Sequence, residues 1–504
     1  MSGYQQKESI KVDDFVDVDN AEAVETGPTE SFEELKSKFD IKKLITQFVI
    51  KKENFVFTKK NSLYEDYKLD GELGKGTYGV VYKGIHTDTG DIRAVKQISR
   101  KKIKKIERFL NEVHALKTLD HPNIIKLFEI YEDTENVYLV QEMCEGGELF
   151  DRIVENGYLS EKQAAELFLQ ILQSILYCNK NRISHRDLKP ENFMFKSKDK
   201  DSMLKLIDFG LSMSYFKVDK NTEKSSVVRM KTRAGTAFFM APEVISHDYT
   251  ESCDMWSAGV MLYIMLCGYP PFYGENDQEI LEAVIAGEYD FDDEVWDEVS
   301  DEAKDLINNL LKPEQERLTP KEALHHPWVK NRDKNIDVPN KHLHRLKSFQ
   351  KSKKLKKAAL TYLASRTTDD DISEEMQIFL KLDKNRDGYI TLKELKEGMK
   401  EVENIDEIAE ILKGVDIDNN GAINYTEFIA ATLDQDKVVN EQMKMKDAFK
   451  VFDKDGDGQI DEEEMRAAFD CTDGEAFKEI IQEADSNGDG KVDYEEFKKV
   501  MQNV

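Results

Sequence analysis

The final third of the chain repeats one arrangement of oxygen-bearing side chains, D-x-[DN]-x-[DN]-G-x5-E, at residues 383–394, 416–427, 453–464 and 485–496. Oxygens at positions 1, 3 and 5, a main-chain carbonyl at 7 and a bidentate glutamate at 12 suit a hard cation, Ca2+, with glycine at 6 making the sharp turn. The first loop would use Asp383, Asn385, Asp387, Tyr389 (main chain) and Glu394, and the second Asp416, Asp418, Asn420 and Glu427. The third would use Asp453, Asp455, Asp457, Gln459 (main chain) and Glu464, and the fourth Asp485, Asn487, Asp489, Lys491 (main chain) and Glu496. Position 8 is apolar each time (Ile390, Ile423, Ile460, Val492), as two loops need in order to pair through a short strand. Spacings of 33, 37 and 32 residues imply two lobes of paired loops. Carboxylates at positions 1, 3, 5, 9 and 12 number three, three, five and four. Ligand charge raises affinity, so the C-terminal pair is expected to fill first.

A second set of residues suits phosphoryl transfer. Gly74-x-Gly76-x-x-Gly79-x-Val81 lies between two strand-like runs, where a dinucleotide loop would open a helix. Such a hairpin can offer backbone N–H groups to phosphates. Then come Arg93-Ala94-Val95-Lys96, a helical segment over 102–119 carrying Glu112, His185-Arg186-Asp187-Leu188-Lys189-Pro190-Glu191-Asn192, Asp208-Phe209-Gly210 and Ala241-Pro242-Glu243. In order and spacing they resemble the protein-kinase family over residues 67–329. The resemblance implies that Lys96, held by Glu112, binds the α- and β-phosphates of ATP and that Asn192 and Asp208 hold Mg2+. Asp187 would orient the substrate hydroxyl and take its proton, with Lys189 near the γ-phosphate. Leu73, Gly74, Gly76, Gly79, Val81, Ala94, Glu142 and Glu148 would line the nucleotide site, and Gln141 would gate its back. Asp254-x-Trp256-x-x-Gly259 and Arg317, paired with Glu243, extend the likeness. D-L-K-P-E-N and Gly235-Thr236 resemble serine/threonine kinases. Glu148 and Glu191 match positions that receive arginines N-terminal to a phosphosite, the alternative being a solvated acidic rim.

The elements that must position these groups follow from composition and charge. A chain of 504 residues has room for several domains, and a net charge of −28 argues against nucleic-acid partners. The longest apolar run, residues 260–267, is far too short to cross a bilayer. No secretory signal opens the chain, and Ser2 stands where N-myristoylation needs glycine, so no lipid anchor is expected. Five cysteines without C-x-x-C fit a reducing cytoplasm, and a monomer is expected. From Thr367 onward there are 38 acids and 17 bases, whereas residues 341–366 carry nine bases and no acid. The chain therefore divides into an extension (1–62, acidic and disordered over 8–30, helical over 31–49 behind a Ser31/Glu34 capping box), 67–329, a junction (335–366) and 371–504.

In the junction, Leu355, Ala358, Ala359, Tyr362 and Leu363 form an amphipathic stripe among Lys353, Lys354, Lys356 and Lys357. Calmodulin-like domains favour such a basic helix; a solvated linker helix and a membrane-surface helix are the alternatives. The four loops are identified as EF-hands, and residues 371–504 resemble calmodulin. The whole resembles the calcium-dependent protein kinases of plants, ciliates and apicomplexan parasites. That implies an α+β fold class, a bilobal protein-kinase fold followed by an all-α EF-hand domain. It implies a calcium-activated, calmodulin-independent serine/threonine kinase using ATP, Mg2+ and Ca2+ on protein substrates, with intramolecular contacts among kinase, junction and EF-hands. At low calcium the junction would block the cleft. Two departures stand out: Ser2 where many members carry a myristoylated glycine, and Thr232 where members commonly carry an acid. Phosphorylation of Thr232 would supply that charge to Arg186, with Thr222, Ser225 and Ser226 as alternative sites. The competing readings are a calcium-sensing scaffold, a calcium buffer, and a kinase whose EF-hands recruit substrate.

Overall fold

The computed structural model describes residues 50, 52–59, 62–76, 79–103, 106–218, 225–330, 339–367, 369–399, 405–435, 441–469 and 474–502. The acidic stretch 8–30, the helix expected over 31–49 and Thr222 lie outside the described residues. A six-stranded sheet holds β1 (Phe57–Lys59), β2 (Tyr67–Gly76), β3 (Gly79–His86), β4 (Ile92–Ser99), β5 (Leu127–Glu132) and β6 (Asn136–Gln141) in the order β1-β5-β6-β4-β3-β2. The glycine-rich run is the β2–β3 hairpin, with Gly76 opposite Gly79. Successive side chains of a strand point to opposite faces. Val95 in β4 therefore enters a core with Tyr67, Phe128, Tyr138 and Val140, and Lys96 points the other way.

The order departs from the sequence reading at one edge. Residues 52–59, assigned above to an extension ending near 62, hold a 3-10 turn (Lys52–Phe55) and strand β1. β1 runs parallel to β5, with Phe57 opposite Glu129. Lys52 Nζ donates to the Leu119 carbonyl at 2.6 Å and faces Asp120 at 3.5 Å. A three-residue strand has no readable period; its partner β5, some seventy residues later, defines it.

Below the sheet, α1 (Ile106–Thr118) carries Glu112. The helix expected over 102–119 begins later because Arg100–Lys102 make a 3-10 turn. Helix α2 (Glu161–Lys180) starts at a capping box between Ser160 and Gln163. Helix α3 (Cys253–Cys267) is apolar on every side and almost wholly buried. A Cβ on its Gly259 would stand 2.8 Å from that of Leu310, so this position sets how closely the helices pack.

The junction is two helices, α4 (Asn340–Lys351) and α5 (Lys354–Arg366), where the sequence reading has one segment. Ser352 and Lys353 are both extended and break the helical run. Beyond them come α6 (Ser373–Leu382), α7 (Leu392–Gly398), α8 (Ile405–Val415), α9 (Tyr425–Thr432), α10 (Gln442–Phe452), α11 (Glu462–Phe469), α12 (Gly474–Ala484) and α13 (Tyr494–Gln502). The stripe on α5 is buried, but so are Lys356, Leu360, Thr361 and Ala364 on its other sides. Helices α9, α10, α12 and α13 and the Lys52–Phe55 turn all pack on α5, which is enclosed rather than half-exposed. Ile50 and Phe55 join the same apolar cluster as both loop pairs, with Phe55 edge-on to Tyr362 at 5.7 Å.

Candidate active site and cation-binding loops

Strand β4 and helix α1 bring Lys96 Nζ to 2.7 Å from Glu112 Oε1 and 3.5 Å from Asp208 Oδ1. Burial disfavours the ammonium, yet the charges of Asp208 and Glu112 outweigh it and hold Lys96 above its usual pKa. Lys96 in turn, ahead of every other influence, holds Asp208 below the usual carboxylate range. Burial raises Glu112 against the pull of Lys96, whereas Lys96 and Asp208 are both shifted toward their charged forms and offer an ammonium and a carboxylate to one space, as a magnesium-bound polyphosphate requires.

After α2 the chain turns into the segment bearing Asp187. Asp254, buried at the start of α3, accepts the main-chain N–H groups of His185 and Arg186 at 2.8 Å each and Ser184 Oγ at 3.0 Å. This grip holds Arg186 in the left-handed region, φ 67°, which costs a non-glycine residue energy. Asn192 Nδ2 donates to the Asp187 carbonyl at 2.7 Å and to its Oδ2 at 3.2 Å. Asp187 Oδ1 accepts from Thr236 N at 3.1 Å and Thr236 Oγ1 at 3.0 Å, and Lys189 Nζ reaches the same hydroxyl at 3.0 Å. Gly235 makes this approach possible, because at φ 111° its missing Cβ would lie 2.8 Å from the Arg186 carbonyl. Thr236 thus belongs to the cluster, although the sequence reading used it only as a cue to substrate class.

Arg186 is buried, and its Nη1 donates to Thr232 Oγ1 at 2.8 Å and Tyr249 Oη at 3.2 Å. No carboxylate makes an ion pair with it among the described residues. Arg317 grips Glu243 through both terminal nitrogens.

Leu73, Gly74 and Gly76 lie on β2, Gly79 and Val81 on β3, Ala94 on β4, and Gln141 ends β6. Glu142 directly follows β6. It is buried, with Lys196 Nζ and Lys205 Nζ each 3.1 Å from its Oε1, and its main-chain N–H donates to the Lys126 carbonyl at 2.9 Å. Burial pushes its carboxyl up, but Lys205, Lys196 and Lys126 outweigh that and hold it below the usual range. Glu148 is raised by burial and then by Asp151 and Glu191, and Glu191 by burial. Glu191 Oε2 is enclosed without a hydrogen-bond partner, so a cation here would gain from both acids.

The four acidic loops share one scaffold. The glycines at position 6 (Gly388, Gly421, Gly458, Gly490) all have φ between 81° and 90°. The glutamate at position 12 bridges each loop: its two oxygens accept from Asn385 N and Thr391 N, Ile417 N and Asn424 N, Lys454 N and Asp461 N, or Ser486 N and Asp493 N, all within 3.0 Å. Ile390 and Ile423 pair through main-chain bonds of 2.8 and 2.9 Å, and strands Gln459–Ile460 and Val492–Asp493 pair antiparallel. Asp416, Asp418 and Glu427 bring ligand oxygens within 4.8 Å of one another, as do Asp453, Asp455 and Asp457. Burial and then Asp387 push Asp383 up to about 8; burial and then Asp418 raise Glu427 well above its usual value. Crowded, dehydrated carboxylates of this kind fit a divalent cation, which relieves their repulsion.

The first loop pair also touches the lobes that carry the cleft. Asp387 Oδ2 accepts from Lys180 Nζ at 2.7 Å, Tyr389 Oη meets Asn181 at 3.3 Å, and Thr426 N donates to Asp120 at 2.9 Å. A Cβ at Gly388 would collide with the Tyr177 ring at 2.2 Å. At the end of α5, Arg366 lies over Phe128 and reaches Glu129 Oε1 at 3.3 Å, and Arg93 Nη2 donates to its carbonyl at 3.1 Å. Phe128 packs with Val95, so the junction meets the sheet on the face away from Lys96.

The protein kinase domain family matches residues 67–329, and the EF-hand domain pair family matches 350–433 and 442–502. A Plasmodium yoelii yoelii protein called Calcium-dependent protein kinase 3 is 42% identical over 429 residues, 83% of this chain and 77% of that protein. Calcium-dependent protein kinase 5 of Plasmodium falciparum is 42% identical over 422 residues, 82% and 72% of the two chains. Calcium-dependent protein kinase 4 of Plasmodium falciparum is 40% identical over 477 residues, 89% and 87%.

Proposed function

The chain belongs to the calcium-dependent protein kinase family, and from that premise we propose how its parts divide the work. It is a calcium-activated protein kinase that phosphorylates serine or threonine, using ATP with Mg2+ and its own EF-hands for Ca2+. Lys96, braced by Glu112, binds and orients the α- and β-phosphates. Asp208 and Asn192 hold Mg2+, which supplies charge neutralisation across the phosphates. Asp187 aims the substrate hydroxyl and accepts its proton, Thr236 fixes the rotamer of Asp187, and Lys189 faces the transferred group. Glu148 and Glu191 favour substrates with arginine N-terminal to the phosphosite, a reading supported by the enclosed, unpartnered Glu191 Oε2.

The regulatory proposal is carried by one observation: α5 is enclosed by EF-hand helices while its C-terminal Arg366 rests on the sheet face away from Lys96. This arrangement leaves the cleft assembled, with Lys96 on Glu112. We take it as the active, calcium-loaded one. At low calcium the basic, apolar surface of α5 loses this enclosure and blocks the cleft instead. Calcium activates because it binds the enclosed arrangement more tightly than the blocked one. The third and fourth loops, richer in carboxylates, fill first and the first two report the signal. Among the described residues no helix is long and apolar enough to cross a membrane. The buried free thiols at Cys178, Cys253 and Cys267 suit a reducing cytoplasm, and we place the chain there as a monomer.

The test is phosphate transfer from ATP to an arginine-containing serine peptide by the full chain, with calcium and with EGTA. Activity that depends on calcium supports the switch. Equal activity in both would move the EF-hands to substrate recruitment, and ATP binding without transfer would restore the scaffold reading.

A further inference from the structure

One polar cluster serves neither the cleft nor the four loops. His342, in the first turn of α4, is fully enclosed, and neither ring nitrogen has a hydrogen-bond partner. Its Nε2 faces Glu375 Oε1 at 3.5 Å. Glu374 adds a third donor, so that one ligand atom from each residue lies within 4.8 Å of the other two. Both glutamates stand in the first turn of α6. The cluster therefore spans from the junction to the helix that leads into the first loop.

An enclosed imidazole with both nitrogens unpaired calls for an ion or a water. The separation decides between them and a simple ion pair. A charge-assisted N–H···O bond closes to about 2.7–2.9 Å, which this pair does not. Two ligands at about 2.0–2.1 Å from a tetrahedral zinc ion stand roughly 3.3 Å apart, close to the distance found. Two cations compete for the carboxylates. Lys341 pairs with Glu374, but both side chains are half-exposed and such pairs yield easily. Arg345 Nη1 is 3.2 Å from Glu375, and on releasing it would keep the Thr432 carbonyl at 2.9 Å and Asp434 at 2.8 Å.

We propose that His342, Glu374 and Glu375 form a binding site for a borderline divalent transition metal, zinc foremost, that ties α4 to α6. One imidazole with two carboxylates is a donor set zinc accepts, with a fourth position left for water. Calcium, which takes oxygen ligands, is disfavoured by the imidazole. The site is thus distinct in chemistry from the four loops, and its occupancy fastens the junction to the first EF-hand whatever those loops hold.

The test is a zinc titration of the full chain in saturating calcium, which keeps the loops filled, followed by calorimetry and repeated with cobalt by visible absorption. The wild type should take up one zinc per chain, and its cobalt form should show the d–d bands of a four-coordinate nitrogen-containing site. Glu374→Gln, at an exposed position that leaves the fold in place, should weaken zinc by at least about tenfold, since even outer-sphere partners of a metal cost that much. His342→Gln should abolish the cobalt bands while calcium-dependent kinase activity confirms that the variant is folded. No zinc uptake by the calcium-saturated wild type would overturn the site and leave His342 as an ion partner of Glu375. So would unchanged zinc affinity in both variants.

Discussion

Lys180, the last residue of α2, donates to Asp387 Oδ2 at 2.7 Å, so a side chain of the kinase domain holds the fifth-position carboxylate of the first calcium loop. The other oxygen of Asp387 accepts from Tyr389 N within the loop at 3.1 Å. One residue therefore reports to both sides: its inward oxygen is set by the loop, its outward oxygen by the kinase. Lys180 is half-exposed, so the pair is worth about 0.5–1 kcal/mol rather than the value of a buried one. Lys180→Ala should raise the calcium concentration for half-maximal activation by roughly two- to fivefold and leave activity at saturating calcium intact. A calcium titration of peptide phosphorylation reads this directly, and an unchanged midpoint would remove Lys180 from the coupling.

Glu129 is the deeper link between junction and sheet. It accepts from Tyr67 Oη at 2.8 Å and pairs with Lys59 at 2.8 Å and Arg366 at 3.3 Å. Burial pushes its carboxyl up, but Arg366 and Lys59 outweigh burial and hold it well below the usual range. A depressed folded pKa means stabilisation that is complete above the unfolded value, about 4.3, and lost as pH falls through the folded value. Glu129→Ala should destabilise the chain by about 3–5 kcal/mol at pH 7, because it strands buried cations. The gap in melting temperature between wild type and variant should persist at pH 5 and close only in strong acid. A gap that closes between pH 7 and 5 would contradict the assignment.

Thr232 should be a regulatory phosphosite. Arg186 is buried, strained and aimed at Thr232 Oγ1, and a phosphate there would give it the charge it lacks among the described residues. A charge-assisted hydrogen bond is worth about 1.5 kcal/mol or more, hence roughly tenfold in activity. Autophosphorylated wild type should exceed Thr232→Ala by about that factor, with phosphate located at Thr232 by mass spectrometry. Equal activity after autophosphorylation would leave the hydroxyl as a sufficient partner.

The catalytic assignments separate by size of effect. Asp187→Asn should lower kcat by about 10²–10⁴-fold with ATP binding retained, as loss of a general base does. Thr236→Ala removes one of the two donors to Asp187 Oδ1 and should lower kcat by about tenfold, with the KM for ATP little changed. A Thr236→Ala effect confined to KM would place that residue in nucleotide binding instead.

What could be read in the chain was chemistry with fixed spacing. Lys96, Glu112, Asp187, Asn192 and Asp208, and the four acidic loops, are identified by residue type at set intervals, because phosphates and hard cations demand those groups. What could not be read depends on partners distant in sequence. β1 exists because β5 accepts it, and Glu142 turns inward because Lys196 and Lys205 lie behind it. The stripe on α5 was legible as amphipathic, but its full enclosure comes from helices at both ends of the EF-hand region. Lys180 and Thr236 carried no motif pointing to Asp387 or Asp187; only the fold brings them together.

The central claim is that the arrangement with α5 enclosed and the EF-hands docked on the kinase is the active, calcium-loaded one. Asp88 and Lys450 meet at 3.0 Å on the exposed surface where α10 faces the kinase sheet, and neither is one of the catalytic or calcium-binding residues. Cysteines at both positions, Asp88→Cys and Lys450→Cys, joined by a short bismaleimide, would lock that arrangement. The account predicts fast cross-linking in calcium, slow cross-linking in EGTA, and cross-linked protein that stays active after calcium is removed. Cross-linking at one rate in both conditions, or locked protein that is inactive even with calcium, would contradict it.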